Sequence, residues 1–473
     1  MVRAKASAYD HASGRTGTGN RKDTMDRVSD TAITGSTAAE LTESVRDLID
    51  TGQLGAGDPL PPVRALADHL GVNRNTVVAG YRQLAQAGLV VTQGRAGTRI
   101  ATLTPTPDEG YAGDSPLRDV ASNNPDPTRI PDATPVLAAL PRRPVLYGEP
   151  VVDAGLGAWA TDWIAADLAG ADGPEEFRLS ITSGAVDAVE RLLSQSLTRD
   201  DAVALEVPCF LASLQTVRLG GYRAVGVPVD DEGMTPDGLR HALDQGIRAV
   251  VTTPRAQNPT GTGLSARRAD ELRAVLAEHP YVLVIEDDHF SLLSQQPFRS
   301  IVGPGHRRWA LVRSVSKFLG PDSCVALVAS DTHTADRLAL RLRPGTTWVS
   351  HLLQRLAHAQ LADAGVLEQI RSTGRHYAER NAAFAALLST AGLPTRAGEG
   401  LSLWVDTGSP AERTVAQLMR RGWLARAGDE FALWADPDLP SRHVRLTVHH
   451  LDDAEQGALA ADVVAAAAEA RGS

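Results

Sequence analysis

The stretch Trp309–Ser330, WALVRSVSKFLGPDSCVALVAS, sets two apolar runs on either side of a lysine. WALVRSVS and VALVAS read as buried β-strands, since each is short, rich in β-branched residues and bounded by turn formers. Lys317, between them, is one of three lysines in the chain. The other two, Lys5 and Lys22, lie near the N-terminus, and arginine carries the remaining positive charge. A lone lysine under such a bias is either a surface residue left by chance or one kept for chemistry. Arginine stays protonated, whereas a partly desolvated lysine loses its proton and can form a Schiff base with an aldehyde.

Upstream of this stretch the chain alternates strand-like runs, AVALEVP, RAVVTTP and YVLVIEDD, with helical segments such as SARRADELRAVLAEH. That alternation predicts a mainly parallel sheet with helices on both faces, spanning 126–345, with ligand sites at the carboxyl ends of its strands. From 346 to 473 the pattern is mainly helical, with strands near Leu401–Val405 and Val444–Val448, and predicts a small α+β subdomain. Residues 103–125 are rich in Pro, Gly and Asp and read as a linker. Residues 1–36 lack apolar periodicity and read as a disordered tail in which Met25 offers a second start.

The length, 473 residues, and 43% hydrophobic content support two or three globular domains. Apolar runs are too short for a membrane span, and no secretory signal opens the chain, so a cytoplasmic location without membrane contact is expected. Cys209 and Cys324 are the only cysteines and supply neither a disulfide framework nor a metal motif. The formal charge of −10 excludes a wholly basic nucleic-acid coat but leaves room for a small DNA-reading module.

Residues 37–102 have the pattern of such a module. Leu41, Val45, Leu48 and Ile49 mark one helix; Val63, Leu66, Ala67 and Leu70 a second that ends at Gly71; Val77, Tyr81 and Leu84 a third that begins after Asn73. Two extended runs, LVVTQ and RAGTRI, follow. The stretch Leu60–Ile100 resembles the N-terminal winged helix-turn-helix of GntR-type bacterial regulators. The third helix would enter the major groove with Arg74, Asn75 and Thr76 toward the bases, while Arg64 and Arg95 would hold phosphates. Six arginines against five acids between Leu41 and Ile100 leave the alternative, solvated surface charges, open by charge count.

In the larger domain the strand ends carry groups suited to a pyridine ring that bears an aldehyde and a phosphate. Asp287 follows the run VLVIE and would keep a ring nitrogen protonated. Asn258 in RAQNPTG would hydrogen-bond a ring hydroxyl, and Phe210 would stack on the ring. Ser183, Gly184 and Ala185 open a helix whose N–H groups attract phosphate. Singly these read as an ordinary helix start, a solvated strand end, a turn and a core aromatic. In the chain order Ser183–Ala185, Phe210, Asn258, Asp287 and Lys317, they resemble fold type I, pyridoxal 5′-phosphate-dependent aminotransferases over nearly all of 120–470. The resemblance implies that Lys317 forms the aldimine, that Tyr147 reaches the phosphate of a partner subunit, and that Arg445 binds a substrate or effector carboxylate.

A winged helix fused to such a domain resembles the MocR subfamily of GntR regulators. This implies a head-to-tail homodimer that binds an operator in double-stranded DNA, uses pyridoxal 5′-phosphate, and senses it or an amino acid or amine. An active aminotransferase with an accessory DNA-binding domain is the alternative, and a cofactor-free dimer scaffold the third reading. Two positions depart from the family pattern. His289 stands where a ring-contacting tyrosine is usual, so that contact is expected to change and to respond to pH. Cys324 replaces the usual phosphate-binding arginine, which lowers the expected cofactor affinity; Arg255 and Ser314 are the nearest candidates to compensate.

Overall fold

Helix α1 (Ala38–Asp50) starts where Thr37 Oγ1 accepts the Glu40 N–H and the Glu40 carboxylate accepts the Ser36 N–H at 2.8 Å. This reciprocal cap satisfies backbone donors that the first turn leaves open. The computed structural model describes residues 33–473, apart from 56, 87–88, 93–96, 101–114, 141–142, 171–172, 175, 343–347, 434–438 and 473. Two units divide at Thr104.

In the first unit α1 is followed by α2 (Val63–Leu70), α3 (Arg74–Gln86) and an antiparallel hairpin of β1 (Val90–Thr92) and β2 (Thr98–Ile100). Gly71, left-handed at φ 66°, ends α2. The Asn73 side-chain oxygen accepts the Asn75 N–H at 2.8 Å at the start of α3. Leu41, Val45, Leu66, Val77, Tyr81 and Leu84 close one core, and the buried Tyr81 hydroxyl donates to the Pro61 carbonyl at 2.7 Å. This is a winged helix-turn-helix.

The second unit runs β3 (Arg118–Asp119), α4 (Thr134–Leu137), α5 (Ala154–Gly170), β4 (Arg178–Thr182), α6 (Ala185–Ser196), β5 (Ala202–Val207), α7 (Leu211–Leu219), β6 (Arg223–Asp230), β7 (Gly233–Met234), α8 (Pro236–Asp244), β8 (Ile247–Thr252), α9 (Ala266–Ala277), β9 (Leu283–Asp287), β10 (Trp309–Ser314), α10 (Ser316–Leu319), β11 (Ala326–Ser330) and α11 (Thr332–Leu342). It continues with α12 (His351–Leu361), α13 (Ala364–Thr390), β12 (Leu403–Asp406), α14 (Ala411–Arg420), β13 (Trp423–Leu424), β14 (Arg426–Ala427), β15 (His443–Leu446) and α15 (Asp453–Gly472).

The main sheet has the order β4-β11-β10-β9-β8-β5-β6-β7, in which β11 and β7 run against the rest. Side chains alternate faces along a strand. In β10, Trp309 and Leu311 join the core under α5, α8, α9 and α13, whereas Ala310 and Val312 join the core under α6, α7 and α11. Burial on both faces explains why these strands read as continuous apolar runs. Burying each such aliphatic side chain contributes roughly 1.5–3 kcal/mol. A second sheet, β12-β15-β14, packs with α14 and α15 around Phe384, Leu403, Trp423 and Leu446.

One boundary differs from the expectation. Composition assigns residues up to 125 to the linker, yet β3 pairs in parallel with β13 and Val120 is fully buried. Residues 118–125 therefore belong to the folded second unit. Their polar composition reflects backbone and side-chain hydrogen bonds to that unit rather than solvent.

Candidate functional site

Because β4, β5, β8, β9 and β10 are parallel, their carboxyl ends share one edge of the sheet. Asp287 ends β9 in register with Val312 of β10, and two residues beyond Val312 stands Ser314. β10 then turns into the single helical turn α10, which carries Lys317. Lys317, Asn258 and His289 line one small cavity together with Asn123, Gln257, Glu399 and Ser402. The Lys317 ammonium donates to the Asn123 carbonyl at 3.0 Å. Arg445 is fully buried and enters the same cluster: it donates to Asn258 Oδ1 at 3.0 Å and to the Ala121 carbonyl at 2.7 Å. Its guanidinium lies over the Phe431 ring at 4.8 Å.

Asp287 is buried, and its Oδ1 has no hydrogen-bond partner among the described residues. Burial, with the like charges of Asp288 and Glu206, pushes its carboxyl up to about 7 against the downward pull of Lys317. Asp288, next in sequence, is buried too, but the guanidinium groups of Arg255 and Arg313 outweigh that burial and hold it below the usual carboxylate range. Arg255 donates to Asp288 at 2.9 and 2.5 Å and to the Gln296 carbonyl, while Arg313 donates to Asp288 at 2.8 Å and lies 2.7 Å from Asp167. This corrects one expectation: Arg255 is committed to a buried ion cluster and is not a substitute for the arginine absent at Cys324. Adjacent aspartates thus differ sharply, one neutralised by two arginines and the other left open.

The residues expected to hold a phosphate are built differently. Gly184, at φ 91°, precedes α6 without a side-chain cap, and a Cβ placed there would meet nothing within 4 Å. Ser183 is exposed, and Ala185 is the first helical residue. The Asp187 carboxylate accepts the Ser183 N–H at 3.0 Å and pairs with Arg191 at 2.6 Å. Cys324 is exposed, left-handed at φ 42°, and directs its thiol to the Pro321 carbonyl at 3.3 Å. Ser314 is buried and shares a hydrogen bond with the Ser316 hydroxyl at 2.9 Å.

Phe210 is half-buried at the start of α7; the neighbouring Pro208 carbonyl accepts from Gln257, which ties that turn to the Asn258 loop. Tyr147 is not brought to the cluster: it is 74% exposed and packs edge-on against Trp348 at 5.2 Å. In the first unit Arg64, Arg74 and Asn75 are exposed and Thr76 is half-buried, all on α2 and the start of α3. Arg95 lies outside the described residues. The residues that sequence reading missed are Ala121 and Asn123, whose contacts to the two cations are backbone carbonyls with no side-chain signal, and the buried carboxyls Glu206 and Glu286.

Among the described residues no cluster of His, Cys, Asp or Glu suits a metal ion, and no helix is long and apolar enough to cross a membrane. Residues 37–100 match the family model for bacterial regulatory proteins of the gntR family, and 166–462 match aminotransferase class I and II. The vitamin B6 salvage pathway transcriptional repressor PtsJ of Salmonella typhimurium is 45% identical over 91% of this chain and 98% of its own. The pyridoxine biosynthesis regulator PdxR of Corynebacterium glutamicum is 30% identical over 63% and 67%. A kynurenine aminotransferase from Pyrococcus horikoshii superposes with a TM-score of 0.66 at 21% identity, covering 75% of this chain and 92% of that one. The gntR match implies binding to DNA. With its winged helix joined to a fold type I aminotransferase-like domain, the chain belongs to the MocR-type transcription regulators of the GntR family.

Proposed function

We propose that the second unit binds pyridoxal 5′-phosphate through Lys317 and that occupancy of this site, alone or with an amino acid or amine, sets the affinity of the winged helix for its operator. The observation that carries the reading is the unpartnered, buried Oδ1 of Asp287 beside Lys317. A buried acceptor without a donor is costly, and a protonated ring nitrogen would satisfy it. The residues present fit the cofactor on this ground. The regulated pathways named for the two curated relatives, both concerned with vitamin B6, support the same ligand.

Each residue then has a role set by its place. Asp287 would hold a proton on the ring nitrogen, Asn258 would donate to the ring hydroxyl, and His289 and Phe210 would contact the ring. The N–H groups at Gly184 and Ala185, with the hydroxyls of Ser183 and Ser314, would hold the phosphate without an arginine. Tyr147, exposed on its own chain, would reach the phosphate of a second copy in a head-to-tail dimer. Arg445 would receive an effector carboxylate, its planar fork being matched to two oxygens. The bound cofactor supplies an electrophilic aldehyde carbon that a primary amine can attack.

On DNA, Arg74, Asn75 and Thr76 would face base edges and Arg64 and Arg95 the phosphates. Arg64→Ala would then weaken binding to all sequences alike and lower the salt slope by about one.

The joint presence of Lys317, Asp287, Asn258 and Arg445 also favours a second reading, a working aminotransferase. A visible absorption titration with pyridoxal 5′-phosphate, repeated on Lys317→Ala, tests the cofactor site. A steady-state assay with paired amino and keto acids separates the readings, since sustained turnover would favour the enzyme. If no absorption depends on Lys317 at saturating cofactor, the proposal fails.

A further inference from the structure

The segment Val120–Asp126 contacts both cations of the cluster with main-chain oxygens: Ala121 accepts from Arg445 and Asn123 from Lys317. Its own anchorage is specific. The Asn123 N–H donates to Thr447 Oγ1 at 3.1 Å and its side-chain oxygen accepts from Ser402 at 2.9 Å, while the Asp126 N–H donates to the Tyr377 hydroxyl at 3.0 Å. His449 bonds the Asn124 carbonyl at 3.0 Å, and burial depresses this imidazole to about 3, so it stays neutral and donates. Asn123 adopts φ 52°, a conformation that asparagine tolerates better than most residues. Strand β3, paired with β13, leads directly into this segment.

We propose that Val120–Asp126 is a strap latched on the Lys317 ammonium and released when Lys317 condenses with a carbonyl compound. The inference rests on the reading of Lys317 given above. In the condensation the ammonium first gives a proton to solvent. The nitrogen then forms C=N with the carbonyl carbon, and its two departing hydrogens leave with the carbonyl oxygen as water. The nitrogen thereafter carries at most one hydrogen, held in the plane of the new double bond, and the charge-assisted bond to Asn123 is lost. Arg445 still grips Ala121, and Thr447, Ser402, His449 and Tyr377 still hold the segment, so the release is a loosening centred on the Asn123 carbonyl. Ligand chemistry at the sheet edge thereby becomes a change in the mobility of the first folded segment of the second unit, with no second binding site needed.

Hydrogen–deuterium exchange of the full chain, read on the peptide covering 118–129, tests this. Wild type should exchange slowly alone and about tenfold faster with pyridoxal 5′-phosphate, the equivalent of one charge-assisted hydrogen bond. Lys317→Met should exchange fast with or without the cofactor, and Lys317→Arg, which keeps a cation but cannot condense, should stay slow in both. If the Lys317-dependent absorption forms fully and exchange is unchanged or slower, the strap is wrong and the cofactor reading stands. If no such absorption forms, the cofactor reading fails, and the Met and Arg variants still decide the latch: equal exchange in the two overturns it.

Discussion

The two ends of the candidate site are built to different standards. Around Lys317 the polar groups are buried and interlocked: Arg445 holds Asn258 and Ala121, Asn123 holds Lys317, and Asp287 is enclosed with one oxygen open. At the start of α6, Ser183 and Cys324 are exposed, and the nearest ionised side chain in the first turn is the carboxylate of Asp187. On the proposed reading the site keeps the groups suited to a ring and an aldehyde, while Cys324 stands in place of a phosphate-binding arginine, an arrangement suited to a sensor that releases its ligand when the concentration falls.

Substitutions at either end can break or sharpen this contrast. Lys317→Ala should have the largest effect, removing all visible absorption that depends on pyridoxal 5′-phosphate. Asp287→Asn should weaken cofactor binding about 10- to 100-fold in the same titration, since a charged hydrogen bond contributes roughly 1.5–3 kcal/mol. At the other end the changes should run in the opposite direction. Cys324→Arg should tighten binding up to about tenfold, reduced by solvent screening at an exposed position. Asp187→Asn should tighten it about two- to fivefold by removing a carboxylate that occupies the Ser183 N–H and opposes an anion near the helix N-terminus. Unchanged affinity in both of these variants would mean that the two ends do not differ in the way described.

The smallest readout is pH. Burial pushes Glu206, Glu286 and Asp287 each up to about 7. A carboxyl whose pKa is raised by folding binds more protons in the native state, so its contribution to stability is present at low pH and is lost as pH rises through the folded value. Between about pH 4 and 7 these carboxyls should therefore lower the melting temperature of the ligand-free protein as pH rises, by roughly 2 °C for each kcal/mol lost, against the opposite contribution of the depressed His449 below about pH 6.5. Asp287→Asn should flatten that fall. Identical pH profiles of melting temperature for wild type and Asp287→Asn would contradict the assignment.

Much of this was legible in the sequence for physical reasons. Strands buried on both faces must be apolar throughout, so β5, β8, β9, β10 and β11 announce themselves, and the polar residues at their ends stand out as Asp287, Asn258 and Lys317. The first unit was equally plain, since Leu41, Val45, Val77 and Tyr81 repeat at helical spacing and Gly71 and Asn73 mark the turn. Other features carried no such signal. Arg255 is drawn away by Asp288, 33 residues distant, a pairing that only the fold creates. Residues 118–125 look like linker because their contribution is main-chain, and a carbonyl has the same signature in every residue.

Helix α13 has a consequence of another kind. Its first half, with Ile370, Thr373, Gly374 and Tyr377, is buried against the large sheet's core, and its second half, with Phe384, Ala385 and Leu388, in the smaller one. At Gly374 an added Cβ would stand 2.0 Å from the Leu293 carbonyl, so the helix backbone rests there directly on the turn at 291–293. The two lobes consequently share one continuous beam, seated on the large lobe at Gly374: any larger residue at that point would lift α13 off the turn at 291–293 and spoil the alignment of Arg445, carried by one lobe, with Lys317, carried by the other.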